Sequence, residues 1–241
     1  MTLRNIPVIT GLPFDIKPVI DITDQLPSRK NDPNAPRTIE QITHVSVHHS
    51  AVEGGSPQAY ANYHVNTLGW YHIGYHDVIV GDQIYQVNDL LTFSYHTSGH
   101  NPYTVGISIS GDLSKRPLSE MERNCLYARL LTYLSVFPNL TIENILGHNE
   151  YPDNKTACPC IDMNRVRNDV RDLKMKLDYA NRGESREQIA FKIAESILWT
   201  YNAANGIDQY GEHTISPEGR EWAKQRLLLL EPVMREHNFI Y

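Results

Sequence analysis

Between Gly147 and Cys160 the chain reads Gly-His-Asn-Glu-Tyr-Pro-Asp-Asn-Lys-Thr-Ala-Cys-Pro-Cys, which sets an imidazole, His148, shortly before a thiol, Cys158. Both are borderline-soft donors suited to zinc, and Pro152, Asp153 and Asn154 supply a loop that can fold one back on the other. Two donors do not make a catalytic site, because zinc catalysis takes three protein ligands and one open position for water. The obvious third donor lies in Val-Ser-Val-His-His-Ser-Ala, residues 45–51, where a short β-branched run brings His48 and His49 to the end of an expected strand. Neighbours in a strand point to opposite faces, so the two histidines have different surroundings.

Nine of the eleven histidines fall between His44 and His148. His72 with His76, and His96 with His100, have a spacing that on a helix would suggest metal ligation, but Gly74, Gly99 and the adjoining strand signals argue against helices there. Ser46 and Ser50 make no Ser-His-Asp case, since nothing resembles a nucleophile elbow.

The elements that must position these residues begin at Ile42. His44 to His49 reads as a strand; Ser56-Pro57 gives an N-cap and first-turn proline for a helix that Gly69 ends. Asp77 to Val80 and Ile84 to Val87 flank Gly81-Asp82 and are expected to pair as a hairpin. Val105 to Ser110, Val-Gly-Ile-Ser-Ile-Ser, alternates apolar with small residues and reads as another strand. Ser119 and Glu122 form a capping box for a helix with Leu126, Leu130, Leu134 and Phe137 on one face. Asp162 caps another, in which Met163, Val166, Val170, Leu173 and Leu177 recur at helical steps. Strands paired by a hairpin and then interleaved with helices imply an α/β fold, a mixed central sheet flanked by helices.

Residues 1–41 carry six of the fourteen prolines and little periodicity. They read as an extended arm lying on the main domain, the alternative being a disordered tail. Residues 42–179 form the expected catalytic domain. Residues 180–241 turn helical, with a capping box at Ser185 and Gln188, Ile189, Ile193 and Ile197 at i, i+4 steps, and Trp222 with Leu227 to Leu230; such a hairpin is too small for its own core. It is expected to dock on the main domain or form a homodimer.

Val47-His48-His49-Ser50-Ala51, Ile73-Gly74-Tyr75-His76, Gly147-His148-Asn149-Glu150 and Thr156-Ala157-Cys158-Pro159, in that order, together resemble the zinc N-acetylmuramoyl-L-alanine amidases of the peptidoglycan recognition protein type, phage endolysins included. Asn101-Pro-Tyr-Thr-Val-Gly106 adds a similar Asn-containing turn, and the resemblance runs from about Ile42 to about Leu177. It implies a zinc ion (Zn2+) held by His48, His148 and Cys158, with Tyr75 beside the zinc water and Thr156 at the position where these amidases have threonine and many phage enzymes lysine; Lys155 is adjacent. His76 and His96, with Trp70, Asn101 and Tyr103, are expected to line the substrate groove, the alternative being scattered polar surface. Glu150 is expected to orient a ligand histidine. One departure is Cys160, where the family usually has glycine or serine; in an extended segment Cys158 and Cys160 alternate sides, which favours Cys158 alone as the ligand.

The implied activity is hydrolysis of the amide between N-acetylmuramic acid and L-alanine in bacterial peptidoglycan. A non-catalytic peptidoglycan-binding module, or a virion component on the same fold, is the alternative, and the retained His48, His148, Cys158, Tyr75 and Thr156 favour the enzyme. A net charge of −6 gives no basic footprint for nucleic acid. Pro7, Gly11, Pro13 and Asp15 interrupt any apolar core of a signal peptide, and no stretch approaches the ~20 apolar residues of a membrane span. The expectation is therefore a lysin held in the host cytoplasm until released to the wall, with wall engagement as the further role expected for residues 180–241.

Overall fold

The structure is a computed structural model that describes residues 2–181 and isolated positions between 202 and 224. The chain divides at Asp178 into two units, and the first, Met1–Leu177, carries everything that follows. The hairpin and dimer expected for residues 180–241 lie outside the described residues.

Six strands form one mixed sheet. In chain order they are β1 (Ile20–Asp21), β2 (His44–His49), β3 (Asp77–Val80), β4 (Gln83–Gln86), β5 (Thr104–Ile109) and β6 (Ile145–Gly147), arranged β1-β4-β3-β5-β2-β6. β2 is central and parallel to both neighbours, with His48 opposite Ser108 of β5 and Val47 opposite Gly147 of β6. β3 and β4 pair as the expected hairpin, one residue earlier on the second strand, with Gly81 at φ +58 in the turn, a left-handed conformation that glycine adopts without steric cost.

Among the described residues three α-helices accompany the sheet: α1 (Pro57–Asn62), α2 (Glu120–Val136) and α3 (Met163–Asn181). Each starts where its cap dictates. Ser56 accepts from Ala59 N–H, Ser119 and Glu122 close their capping box, and Asp162 accepts from Asn164 and Arg165 N–H. α1 runs on into a single π turn, Tyr63–Thr67, before Gly69.

Strand alternation splits the side chains in two. Val45 and Val47 of β2, and Val105, Ile107 and Ile109 of β5, join one large apolar cluster with Leu126 and Leu130 of α2 and Val166 and Val170 of α3. Ser46, His48, Gly106 and Ser108 occupy the alternate positions and face the other way.

Residues 3–19 pack on the same apolar cluster as the helices, with tethers to the end of β4 and to α2. Leu3 is buried, and Ile6, Val8, Ile9, Leu12, Phe14, Ile16 and Val19 pack on the same cluster. Backbone tethers run from Leu3 N–H to Asp89 (2.9 Å), Asn5 N–H to Gln86 (3.0 Å) and Ile9 N–H to Thr132 (3.2 Å). This second cover explains why α2 is buried continuously from Cys125 to Tyr133, where a helix packed on one side would alternate. Within it Arg129 donates to Asp77 of β3 and to the carbonyl of Ile6 (2.7 Å), tying strand, helix and arm together.

Candidate metal centre

Three strands deliver the site. His48 stands at the carboxyl end of β2, His148 directly follows β6, Ser108 lies near the end of β5 and Ser110 directly follows it, so the chemistry gathers at the carboxyl edge of adjacent parallel strands, where α/β sheets bind ligands. One donor atom each from His48, His148 and Cys158 lie within 4.8 Å of one another.

The ring nitrogens are assigned by their partners. Asn154 Nδ2 donates to Ser98 O (3.2 Å) and Pro152 O (3.1 Å), which turns Oδ1 towards His148 Nε2 at 3.1 Å; that nitrogen therefore carries the proton and Nδ1 is left as a donor for a metal. His48 presents Nδ1 to Cys158 Sγ at 3.8 Å, while Nε2 faces the interior. Tetrahedral zinc with bonds of ~2.0–2.1 Å to nitrogen and ~2.3 Å to sulfur needs an N···S edge of about 3.6 Å, so this spacing fits the ion. Burial pushes the Cys158 thiol up to about 11 despite the His49 N–H it accepts (3.4 Å); without a cation it is no thiolate at neutral pH. The donor set thus suits a metal and does not suit a free cysteine nucleophile.

Residues 157–160 make a turn closed by Cys160 N–H to Ala157 O (2.9 Å), with a cis Cys158–Pro159 bond, and not the extended segment expected. The two thiols still part company. Cys160 Sγ lies 3.9 Å from His49 Nε2, whose Nδ1 accepts from Leu113 N–H (3.0 Å); the proton on Nε2 therefore points at Cys160 and forms a separate pair.

Of the other expected site residues, Tyr75 joins the cluster, its ring 5.4 Å from that of His48. Burial, with Cys158 nearby, pushes its phenol up to about 12, so it stays a hydrogen-bond donor. Thr156 Oγ1 accepts from Cys158 N–H (3.1 Å), leaving its hydroxyl proton uncommitted by that bond. Trp70 stacks on His64 (4.6 Å between rings), and His64 in turn lies 5.6 Å from Tyr75.

Neither His76 nor His96 lines an open groove: they are 0% and 9% exposed. His76 Nδ1 accepts from Gly106 N–H (3.0 Å) and its Nε2 lies 2.9 Å from Thr92 O, while His96 sits behind His48. Burial lowers both well below the ordinary histidine value, and Arg37 adds to this, so the pair is neutral. Asn101 holds the His96 and Thr97 backbone through Oδ1 (3.0 and 2.8 Å), and Tyr103 joins an aromatic group with His44 and His100.

Glu150 does not orient a ligand histidine as expected. It accepts from Gly147 N–H (2.9 Å) and pairs bidentately with Arg167 (2.8 Å each), which leaves it committed; Asn154 does the orienting. Asn154, Arg37 and Thr97 escaped sequence reasoning because an amide, a guanidinium and a hydroxyl in loops carry no spacing signature.

A family model for N-acetylmuramoyl-L-alanine amidases matches residues 38–161, about half the chain and all three candidate ligands. The chain belongs to this amidase family. Among relatives of this N-acetylmuramoyl-L-alanine amidase family member, Peptidoglycan-recognition protein SC1a of Drosophila melanogaster is 39% identical over 56 residues, 23% of this chain and 30% of that protein. The matched stretch is thus under a third of that relative's length. The endolysin amidase LysCS of Clostridium intestinale superposes with a TM-score of 0.53 at 20% identity, over 67% of this chain and 98% of its own. The endolysin of the Thermus scotoductus bacteriophage Ph2119 gives 0.50 at 19%, over 62% and 97%. At such identities the likeness is one of fold.

Proposed function

We propose that this amidase-family chain is a zinc-dependent hydrolase that cuts the amide between the lactyl group of N-acetylmuramic acid and L-alanine in bacterial peptidoglycan, working as a lysin released from the host cytoplasm to the wall. The observation that carries the reading is the convergence of His48, His148 and Cys158 beside the protonated phenol of Tyr75. His48, His148 and Cys158 would hold the zinc, which when bound would supply a Lewis acid that activates water near neutral pH.

The chain's own residues do the rest. His48 and His148 are each held with Nδ1 outward, and Cys158 is fixed by the His49 N–H, so the donors need little rearrangement. Tyr75 donates a hydrogen bond to the oxygen that gains charge as the amide carbonyl turns tetrahedral, and the Thr156 hydroxyl is the second donor. Glu150, neutralised by Arg167, is not the general base. The attacking water adds its oxygen to the carbonyl carbon, the carbon–nitrogen bond breaks, and a proton from that water goes to the departing alanine nitrogen, so the products are the lactyl carboxylic acid and the free amine.

The test is incubation of the zinc-loaded protein with purified wall. Appearance of new amino-terminal alanine is expected; retention on the wall with no alanine released would make the chain a binding module instead.

A further inference from the structure

His48 is nearly sealed, at 2% exposure, and among the described residues its inward nitrogen has two polar atoms in reach: His96 Nδ1 at 3.2 Å and Thr97 Oγ1 at 3.4 Å. We infer that His96 is a positioning residue of the metal centre, which accepts the Nε2–H of His48 and thereby commits that ring to presenting Nδ1 to the ion. This role, which rests on His48 being a metal ligand, follows from the polarity of the contacts around His96. Thr104 Oγ1 donates its proton to His100 O (3.0 Å), so it can only accept from His96 Nε2 at 3.4 Å. With the proton on Nε2, His96 Nδ1 carries a lone pair aimed at His48. The opposite tautomer would set two N–H groups head to head at 3.2 Å once Nδ1 of His48 is bound. The Thr97 hydroxyl donates to Ser46 Oγ (2.8 Å); its oxygen, 3.0 Å from His96 Nδ1, is a second and more distant acceptor for the His48 Nε2–H.

The backbone is shaped for this ring. A Cβ on Gly106 of β5 would stand 2.8 Å from both Cγ and Nδ1 of His96, closer than real Cβ contacts come. A glycine within a β-branched strand weakens it, and here the absent side chain is the space the imidazole fills.

Partners that hold the far nitrogen of a ligand histidine typically contribute 10–100-fold in metal affinity. Asn and Leu share the same branching, so His96→Asn and His96→Leu leave nearly the same cavity, but only Asn puts an acceptor oxygen where Nδ1 stood. Zinc affinity of the full chain, measured by competition with a chromogenic chelator, should fall about 10–100-fold in His96→Leu and recover most of that in His96→Asn. Equal affinities in the two variants would overturn the role even if both lose thermal stability. Should His96→Leu fail to fold, long-range 1H–15N spectra of the native zinc-loaded chain decide: a proton on Nε2 alone of both His48 and His96 is expected, and one on His96 Nδ1 overturns the inference. A native chain that binds no zinc would instead remove the metal reading itself.

Discussion

On the helix-covered face of the sheet, Val45, Val47, Val105, Ile107 and Ile109 meet an apolar layer; on the opposite face the residues between them, Ser46, His48, Gly106 and Ser108, are polar or absent as side chains. Parallel strands usually run apolar on both sides because both are covered. Here β2 and β5 are parallel to each other yet alternate like a one-sided sheet, since the second face holds buried histidines whose nitrogens need partners. One face carries the larger apolar core; the other, where Tyr60 and Ala61 of α1 form a smaller apolar cluster with Val78, holds neutral rings and a thiol in fixed orientations.

The strongest way to break that division is on the covered face. Asp77, whose carboxylate accepts from Arg129 and Tyr133, is wholly buried, as are both partners. Asp77→Ala would leave a buried guanidinium without its anion and should cost about 3–5 kcal/mol in urea unfolding, with zinc stoichiometry of the folded protein unchanged. Loss of zinc at unchanged stability would show that the faces are not separable.

The open face should answer in the reverse sense. Tyr75→Phe and Thr156→Ala each remove one donor to developing charge and should lower turnover by about 10²–10³ while zinc content and unfolding stay near native. A fall in stability without a kinetic effect would make both residues packing groups.

The smallest effect tests the rim. Burial raises the Glu150 carboxyl, but Arg167 and the Gly147 N–H outweigh it, and the group sits below its ordinary value of 4.5. A depressed folded value means a contribution present above the unfolded carboxylate range, ~4.3, and lost as pH falls through the folded value. Glu150→Gln should therefore cost about 0–1 kcal/mol at neutral pH, shrinking towards pH 3, with hydrolysis retained. Loss of hydrolysis at native zinc content would instead make Glu150 a base.

How much was legible differs between the same two faces. The core of β2, β5 and α2 could be read because alternation and helical steps are local, and His48, His148 and Cys158 because their motifs keep ligand and spacing together. His76 and His96 could not be placed: a histidine beside a strand looks the same whether it meets solvent or lies behind another ring. Gly106 was the available signal, a glycine inside Val-Gly-Ile-Ser that marked a close approach without saying of what. The contacts of residues 3–19 were equally hidden, since their partners Asp89, Gln86 and Thr132 lie far along the chain and leave no periodic trace.

The central claim, one metal ion on the open face held by two imidazoles and one of two neighbouring thiols, is tested most directly by zinc content per chain in the native protein, Cys158→Ser and Cys160→Ser. The structure predicts about one zinc in the native protein and in Cys160→Ser, whose thiol faces His49, and close to none in Cys158→Ser. Equal loss in the two variants, or none in Cys158→Ser, would contradict it.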